Sequence, residues 1–145
     1  GAFFVAQEVA KRMIARAKGA EKLGNPLPQA RIVNIASVAG LKVLSQIGVY
    51  CMSKAAVVHM TKAMALEWAR HGINVNTICP GPISTAMTAA IPDEAKAIYA
   101  RRRVPLRRYG DPEEVAQMTF SACLPAASFL NGATIVVDGG MTILH

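Results

Sequence analysis

Tyr50 and Lys54 stand four positions apart in a stretch rich in Ala, Met, Leu and Lys, and no glycine or proline falls between Tyr50 and Arg70. Such a stretch predicts a helix over 50–70, and on a helix positions i and i+4 share a face, so the ammonium sits over the phenol. A free phenol ionises only near pH 10 and is a poor proton-exchange group at neutrality. A cation held ~4 Å away favours the phenolate by several kcal/mol at an effective dielectric of about 20. That is the tuning a general acid needs to trade a proton with a carbonyl or alcohol oxygen. Ser37 closes an apolar run, with twelve residues between it and Tyr50. Presented from a strand end, its hydroxyl would hydrogen-bond the same oxygen and polarise it. A Tyr-x-x-x-Lys pair by itself is usually an ordinary surface pair, so the neighbouring elements decide its meaning.

Those elements read clearly. Arg31 to Ala36 is a short β-branched run, a buried strand that ends at Ser37. Open α/β sheets bind ligands at the carboxyl ends of their strands. Val38 to Val49 is the loop that sets serine against tyrosine; Gly40 and Gly48 give it freedom, and Leu41, Val43, Leu44 and Ile47 offer an apolar wall. Its only charge is Lys42, which predicts a pocket for a largely apolar ketone or alcohol. The helix ends at His71-Gly72, where glycine suits a left-handed cap. Ile73 to Cys79 alternates as a second strand and runs into Pro80-Gly81, where a missing side chain would let a flat ring approach the backbone. Pro82 to Ala90 reads as a mobile segment over the site, and Asp93 to Arg103 as a short helix. Asp111-Pro112-Glu113-Glu114 opens the last long helix by every start rule, and Pro125 stops it. Asn131-Gly132 turns the chain into a third strand, Ala133 to Val137, closed by Asp138-Gly139-Gly140. At the front, Gly1 to about Lys18 predicts a helix with Phe3, Phe4, Val9, Met13 and Ile14 as its apolar residues, followed by a loop from Gly19 to Ala30. His59 and His71 suit a packed or surface position and a helix end, and neither is assigned to catalysis. Met60, Met64 and Trp68 read as core or subunit contacts.

Asn34-Ile35-Ala36-Ser37, then Tyr50-Cys51-Met52-Ser53-Lys54, then Pro80-Gly81-Pro82-Ile83-Ser84-Thr85 occur in this order. With these motifs at these spacings the chain resembles the short-chain dehydrogenase/reductase family from Gly1 to about Thr142. The resemblance implies an α/β fold, a Rossmann-like doubly wound parallel sheet. It makes Tyr50 the general acid–base, Lys54 the residue that tunes it and holds the nicotinamide ribose, and Ser37 the residue that orients the substrate carbonyl. It assigns Ile35, Pro80, Gly81 and Thr85 to the nicotinamide side of an NAD or NADP site, with Ile83 offering its backbone to the carboxamide. Within the family the chain looks most like the 3-oxoacyl-carrier-protein reductase branch, although the same motifs recur in sugar, steroid and polyol dehydrogenases. The implied partners are a small carbonyl or alcohol substrate, with an acyl-carrier thioester among the candidates, and further copies of the chain in a homodimer or homotetramer. Leu124-Pro125 departs from the family's usual Ser-Asp pair, at a helix end remote from the chemistry. Neither G-x-x-x-G-x-G nor G-x-G-x-x-G occurs. Residues 1–145 are therefore expected to be the C-terminal, nicotinamide-side part of one domain, with the pyrophosphate-binding half outside them and the first strand left with an open edge. The competing expectation is a non-catalytic piece that serves only in assembly.

Composition narrows the classes. A chain of 145 residues fits one domain, and a hydrophobic content of 52% suits a parallel sheet buried on both faces. No apolar run approaches the ~20 residues of a membrane span, and no signal-peptide layout is present. Cys51, Cys79 and Cys123 lie far apart without a C-x-x-C, which argues against a zinc site or disulfide framework and for reduced thiols in a cytoplasmic protein. The net charge of +7 is spread apart from Arg101-Arg102-Arg103 and Arg107-Arg108, and no nucleic-acid motif accompanies it. A solvated helix face accounts for those arginines; the functional alternative is a docking patch for a phosphorylated cofactor or acidic carrier.

Overall fold

A computed structural model describes residues 1–26 and 29–144. In chain order the main elements are α1 (Ala2–Lys22), β1 (Ala30–Ile35), α2 (Gly48–Trp68), β2 (Ile73–Pro80), α3 (Asp93–Arg103), α4 (Pro112–Cys123) and β3 (Thr134–Val137). The three strands form one parallel sheet in the order β1-β2-β3. Ile35 lies opposite Ile78 and Pro80 opposite Val137, so all three strands deliver their carboxyl ends to the same edge of the sheet. Along β2 every residue from Val75 to Cys79 is buried. Because successive side chains point to opposite faces, that run means the central strand is covered on both sides, as an α/β sheet requires. Among the described residues no strand pairs with the outer edge of β1.

The core is built from α2 downward. Met64 and Ala65 pack on Ile73 and Val75, with Ala6 and Ala10 of α1 behind them. Nearer the carboxyl edge, Val58 packs on Ala36 and Cys79. Val38, Val104 and Met141 join the turn after β1 to the end of α3 and to the chain's last turn. Buried polar groups are matched across elements: Asn34 Nδ2 donates to Thr61 Oγ1, and Thr77 Oγ1 donates to the Asn34 carbonyl, both at 2.9 Å. Asn131 accepts from the Val75 N–H at 2.9 Å and donates to the Ala65 carbonyl at 3.0 Å, tying the turn before β3 to both β2 and α2.

One expectation is corrected. Helix α1 does not stop at Lys18 but continues through Gly19 to Lys22, which shortens the following loop; Leu27 and Pro28 of that loop lie outside the described residues. The buried stripe of α1 is Ala6, Ala10 and Ala17, whereas Phe3, Phe4 and Val9 are exposed. The helix thus turns its smallest side chains inward, and of the expected apolar set Met13 and Ile14 pack against the core. The other boundaries agree to within two residues. Gly72 takes φ +71° as the cap of the 3-10 turn Ala69–His71 that follows α2, the left-handed conformation the cap reading required, and the Asp111 N–H donates to Glu114 Oε2 at 2.8 Å to open α4.

Candidate active site

Residue Ser37 follows β1 in extended conformation, and its Oγ accepts the Ala39 N–H at 3.2 Å to start a single 3-10 turn. The acceptor side of the hydroxyl is thereby engaged while its hydrogen stays available for donation. Gly40 then brings this turn against α2. A Cβ built there would lie 2.7 Å from the Lys54 carbonyl carbon, 2.8 Å from its oxygen and 2.9 Å from the Ala55 nitrogen. Its φ is not positive, so glycine is needed here for close approach and not for the conformational freedom expected from the sequence.

On α2, Lys54 Nζ lies over the Tyr50 ring, 5.6 Å from its centroid, and donates to the Ile35 carbonyl at 3.2 Å. The ammonium is thus held between the end of β1 and the phenol, with N–H groups to spare. Tyr50 itself is 42% exposed. Beneath the site, at the end of β2, Cys79 is fully buried. Burial pushes its thiol above the ordinary value, against opposing contributions from a Ser37 backbone hydrogen bond and the Lys54 charge. A neutral, inert sulfur therefore underlies the serine and the lysine.

Gly81 turns the chain out of β2. A Cβ on it would lie 2.8 Å from both Cα and Cβ of Asp138. The space left by the missing side chain faces the closing turn of the chain, which revises the expectation that it serves a flat ligand ring. Asp138 is in turn held by the N–H groups of Gly140 and Thr142 at 2.8 and 2.7 Å. The segment after Gly81 is pinned as well: the Ser84 N–H donates to the Gly110 carbonyl at 2.9 Å and the Gly110 N–H to the Pro82 carbonyl at 3.0 Å. Thr88 Oγ1 donates to the Ile83 carbonyl at 3.0 Å and accepts the Thr85 N–H at 2.9 Å. The Ile83 N–H has no acceptor among the described residues.

All eight residues assigned from the sequence, Ile35, Ser37, Tyr50, Lys54, Pro80, Gly81, Ile83 and Thr85, line one open cavity of about 420 Å³ at the carboxyl edge of the sheet. That volume falls within the range of small-molecule sites. The cavity is also bounded by Met87, Thr88, Pro112 and Val115. The contribution of α4 was not read from the sequence, although the capping signal at Asp111-Pro112 marks a helix start that could have pointed to it. Leu41, Val43, Leu44 and Ile47 do not line this cavity. Leu41 and Val43 border an apolar recess with Cys51 and Met52, while Val43, Leu44 and Ile47 border a third space beside α3. Among the described residues no three His, Cys, Asp or Glu side chains converge as a metal site would need, and no helix is long and apolar enough to cross a membrane.

A family model described as "Enoyl-(Acyl carrier protein) reductase" matches residues 2–142. The chain belongs to the short-chain dehydrogenase/reductase family. Among short-chain dehydrogenases/reductases it is 37% identical to gluconate 5-dehydrogenase of Gluconobacter oxydans over 142 residues, covering 97% of this chain and 51% of that one. A 4-hydroxyisoleucine dehydrogenase complexed with NADH superposes with a TM-score of 0.87 at 31% identity, covering 99% of this chain and 55% of that one. A gluconate 5-dehydrogenase from Burkholderia cenocepacia in complex with NADP and tartrate gives a TM-score of 0.85 at 34% identity, covering 97% and 51%. The chain thus spans about half the length of each of these three relatives.

Proposed function

We propose that this chain carries the catalytic side of an NAD- or NADP-dependent oxidoreductase that interconverts a ketone and a secondary alcohol. The observation that carries the reading is the convergence of Ser37, Tyr50 and Lys54 with Pro80, Gly81, Ile83 and Thr85 on one cavity. Three distant segments supply these residues, and a surface Tyr–Lys pair would have no reason to share a cavity with a serine and a Pro-Gly turn. The cavity wall also fits a nicotinamide: Ile83 has an unpartnered N–H suited to an amide oxygen, and Lys54 keeps donors beyond the one given to Ile35. In the proposed site a nicotinamide, when bound, supplies the hydride exchange with the substrate carbon.

The chain's own residues do the rest. Ser37 donates its hydroxyl hydrogen to the substrate oxygen and fixes its position. Tyr50 gives a proton to that oxygen as an alkoxide develops, or takes one in the reverse direction. Lys54 stabilises the phenolate that remains, and its hydrogen bond to Ile35 keeps it over the ring. Tyr50→Phe removes the exchangeable proton with little change of shape. Turnover is expected to fall by about 10²–10⁴-fold with nicotinamide binding retained; an active Tyr50→Phe protein would sink the assignment.

Residues 1–145 are proposed to be the C-terminal part of a single Rossmann-type domain, since the matched relatives are about twice as long. Within the family, 3-oxoacyl-carrier-protein reductase-like activity is one substrate reading and a sugar, polyol or steroid dehydrogenase is the other. A panel of β-ketoacyl thioesters, ketosteroids and sugar acids, followed by loss of reduced-nicotinamide absorbance, separates them. Assembly into a homodimer or homotetramer is part of the proposal, supported by Phe4 at 67%, Leu66 at 83% and Phe129 at 102% exposure.

A further inference from the structure

The space beside α3 is the larger cavity, about 560 Å³, and its chemistry differs from that of the Tyr50 cavity. Lys42 enters it from the loop after β1, and Arg102 and Arg103 from the last turn of α3, with Tyr99, Ser45 and Gln46 adding polar groups. Among the described residues no carboxylate side chain lines it. Asp138, three positions before the lining residue Met141, borders a different cavity, and its carboxylate accepts from the N–H groups of Gly140 and Thr142. Asp93 and Glu94 stand at the opposite end of α3, and Asp93 is paired with Lys96. Favourable placement of cations at a helix C-terminus explains arginines in the last turn. It does not explain a lysine from a different segment facing the same space. Lys42 is also held in place, because Nζ donates to the Leu144 carbonyl at 2.7 Å. Gln46 adopts φ +68°, a left-handed conformation that is costly for a residue with a side chain and that concentrates at ligand sites. Ile47, which caps α2, lines this cavity, and Tyr50 is three positions further on, about one helical turn.

We propose that this cationic cavity receives an anionic group carried by the substrate at a distance from its reacting carbonyl. The inference rests on the oxidoreductase reading, and it makes the substrate class acidic ketones or hydroxy acids in place of the apolar ketone expected from the loop sequence. Arg102 and Arg103 grip the anion with charge-assisted hydrogen bonds, and Lys42 adds a third positive charge.

The test uses the native protein with methyl ketones of the form CH3–CO–(CH2)n–COO⁻, n from 2 to 6, their methyl esters, and the matching phosphonates. Wild-type protein is expected to favour the charged ketones over the esters at least tenfold in kcat/KM. Arg102→Gln with Arg103→Gln should cost the charged ketones about 10–100-fold, mostly in KM, while changing ester turnover less than about threefold. The phosphonates separate carboxylate from phosphate recognition. Calorimetric titration with glutarate supplies a readout that needs no turnover: saturable binding that the double variant loses supports the site even if the oxidoreductase reading fails. Equal handling of ketone acids and esters, or glutarate binding untouched by the double variant, would overturn it.

Discussion

Replacing Lys54 by glutamine keeps a donor for the Ile35 carbonyl and removes the positive charge over Tyr50. Taking the 5.6 Å between Nζ and the ring centroid as the charge separation, a unit charge would favour a phenolate by about 3 kcal/mol at an effective dielectric of about 20, and by about 0.7 kcal/mol in open water. At 1.36 kcal/mol per factor of ten, these limits correspond to rate losses of roughly 150-fold and roughly threefold. Tyr50 is 42% exposed, so solvent screening pulls towards the lower limit, whereas substrate and cofactor lying on the ring displace water and pull towards the higher. The expected result is a loss of kcat/KM above about 30-fold at saturating nicotinamide. Lys54→Arg should recover part of it, since charge is retained. The assay is steady-state reduction of a good ketone substrate, with nicotinamide affinity measured separately by fluorescence so that ribose binding and proton transfer are resolved. If Lys54→Gln stays within threefold of wild type in kcat/KM, the electrostatic account of the pair is wrong.

Other perturbations follow from the contacts already described. Gly40→Ala forces a methyl into the Lys54–Ala55 backbone; overpacking of this kind costs about 1–3 kcal/mol, visible as a lower urea midpoint with unchanged slope. Asn131→Ala leaves the Val75 N–H and the Ala65 carbonyl without their partner, and a loss of about 2–4 kcal/mol is expected from two stranded groups, read from the same denaturation curves. The Arg108 guanidinium, bonded at 2.6 and 2.7 Å, holds the Glu114 carboxyl well below the ordinary value of 4.5, at about 2. A depressed carboxylate contributes stability above its unfolded value and loses it as pH falls, here between about 4.5 and about 2. Arg108→Gln should return the Glu114 carboxyl towards its ordinary value in an NMR titration, and no movement would disprove the pairing.

Much of this protein is local information. The order of strands and helices, the capping of α4 at Asp111 and the left-handed Gly72 follow from hydrogen-bonding and steric rules that operate within a few residues. The i, i+4 relation of Tyr50 and Lys54 belongs to the same class. The eight candidate site residues were named through the resemblance of three motifs to a known family, and the delivery of parallel strand ends to one edge accounts for the segments after β1 and β2 meeting at a single cavity. Contacts between distant segments decided what remained. Gly40 and Gly81 are required by the backbone of Lys54 and the turn at Asp138, and nothing in their own neighbourhoods says so. Asn131 looks like half of a turn until Val75 and Ala65 close around it. For α1 periodicity finds apolar residues but not the side from which another element approaches; within this chain Ala6 and Ala10 are buried there with Met13 and Ile14 beside them, and Phe3 and Phe4 stay exposed. Lys42 read as a lone charge in an apolar loop, and became part of a cationic cavity when α3 folded Arg102 and Arg103 against it. Sequence distance hides such groupings, since Coulomb and packing forces act through space and not along the chain.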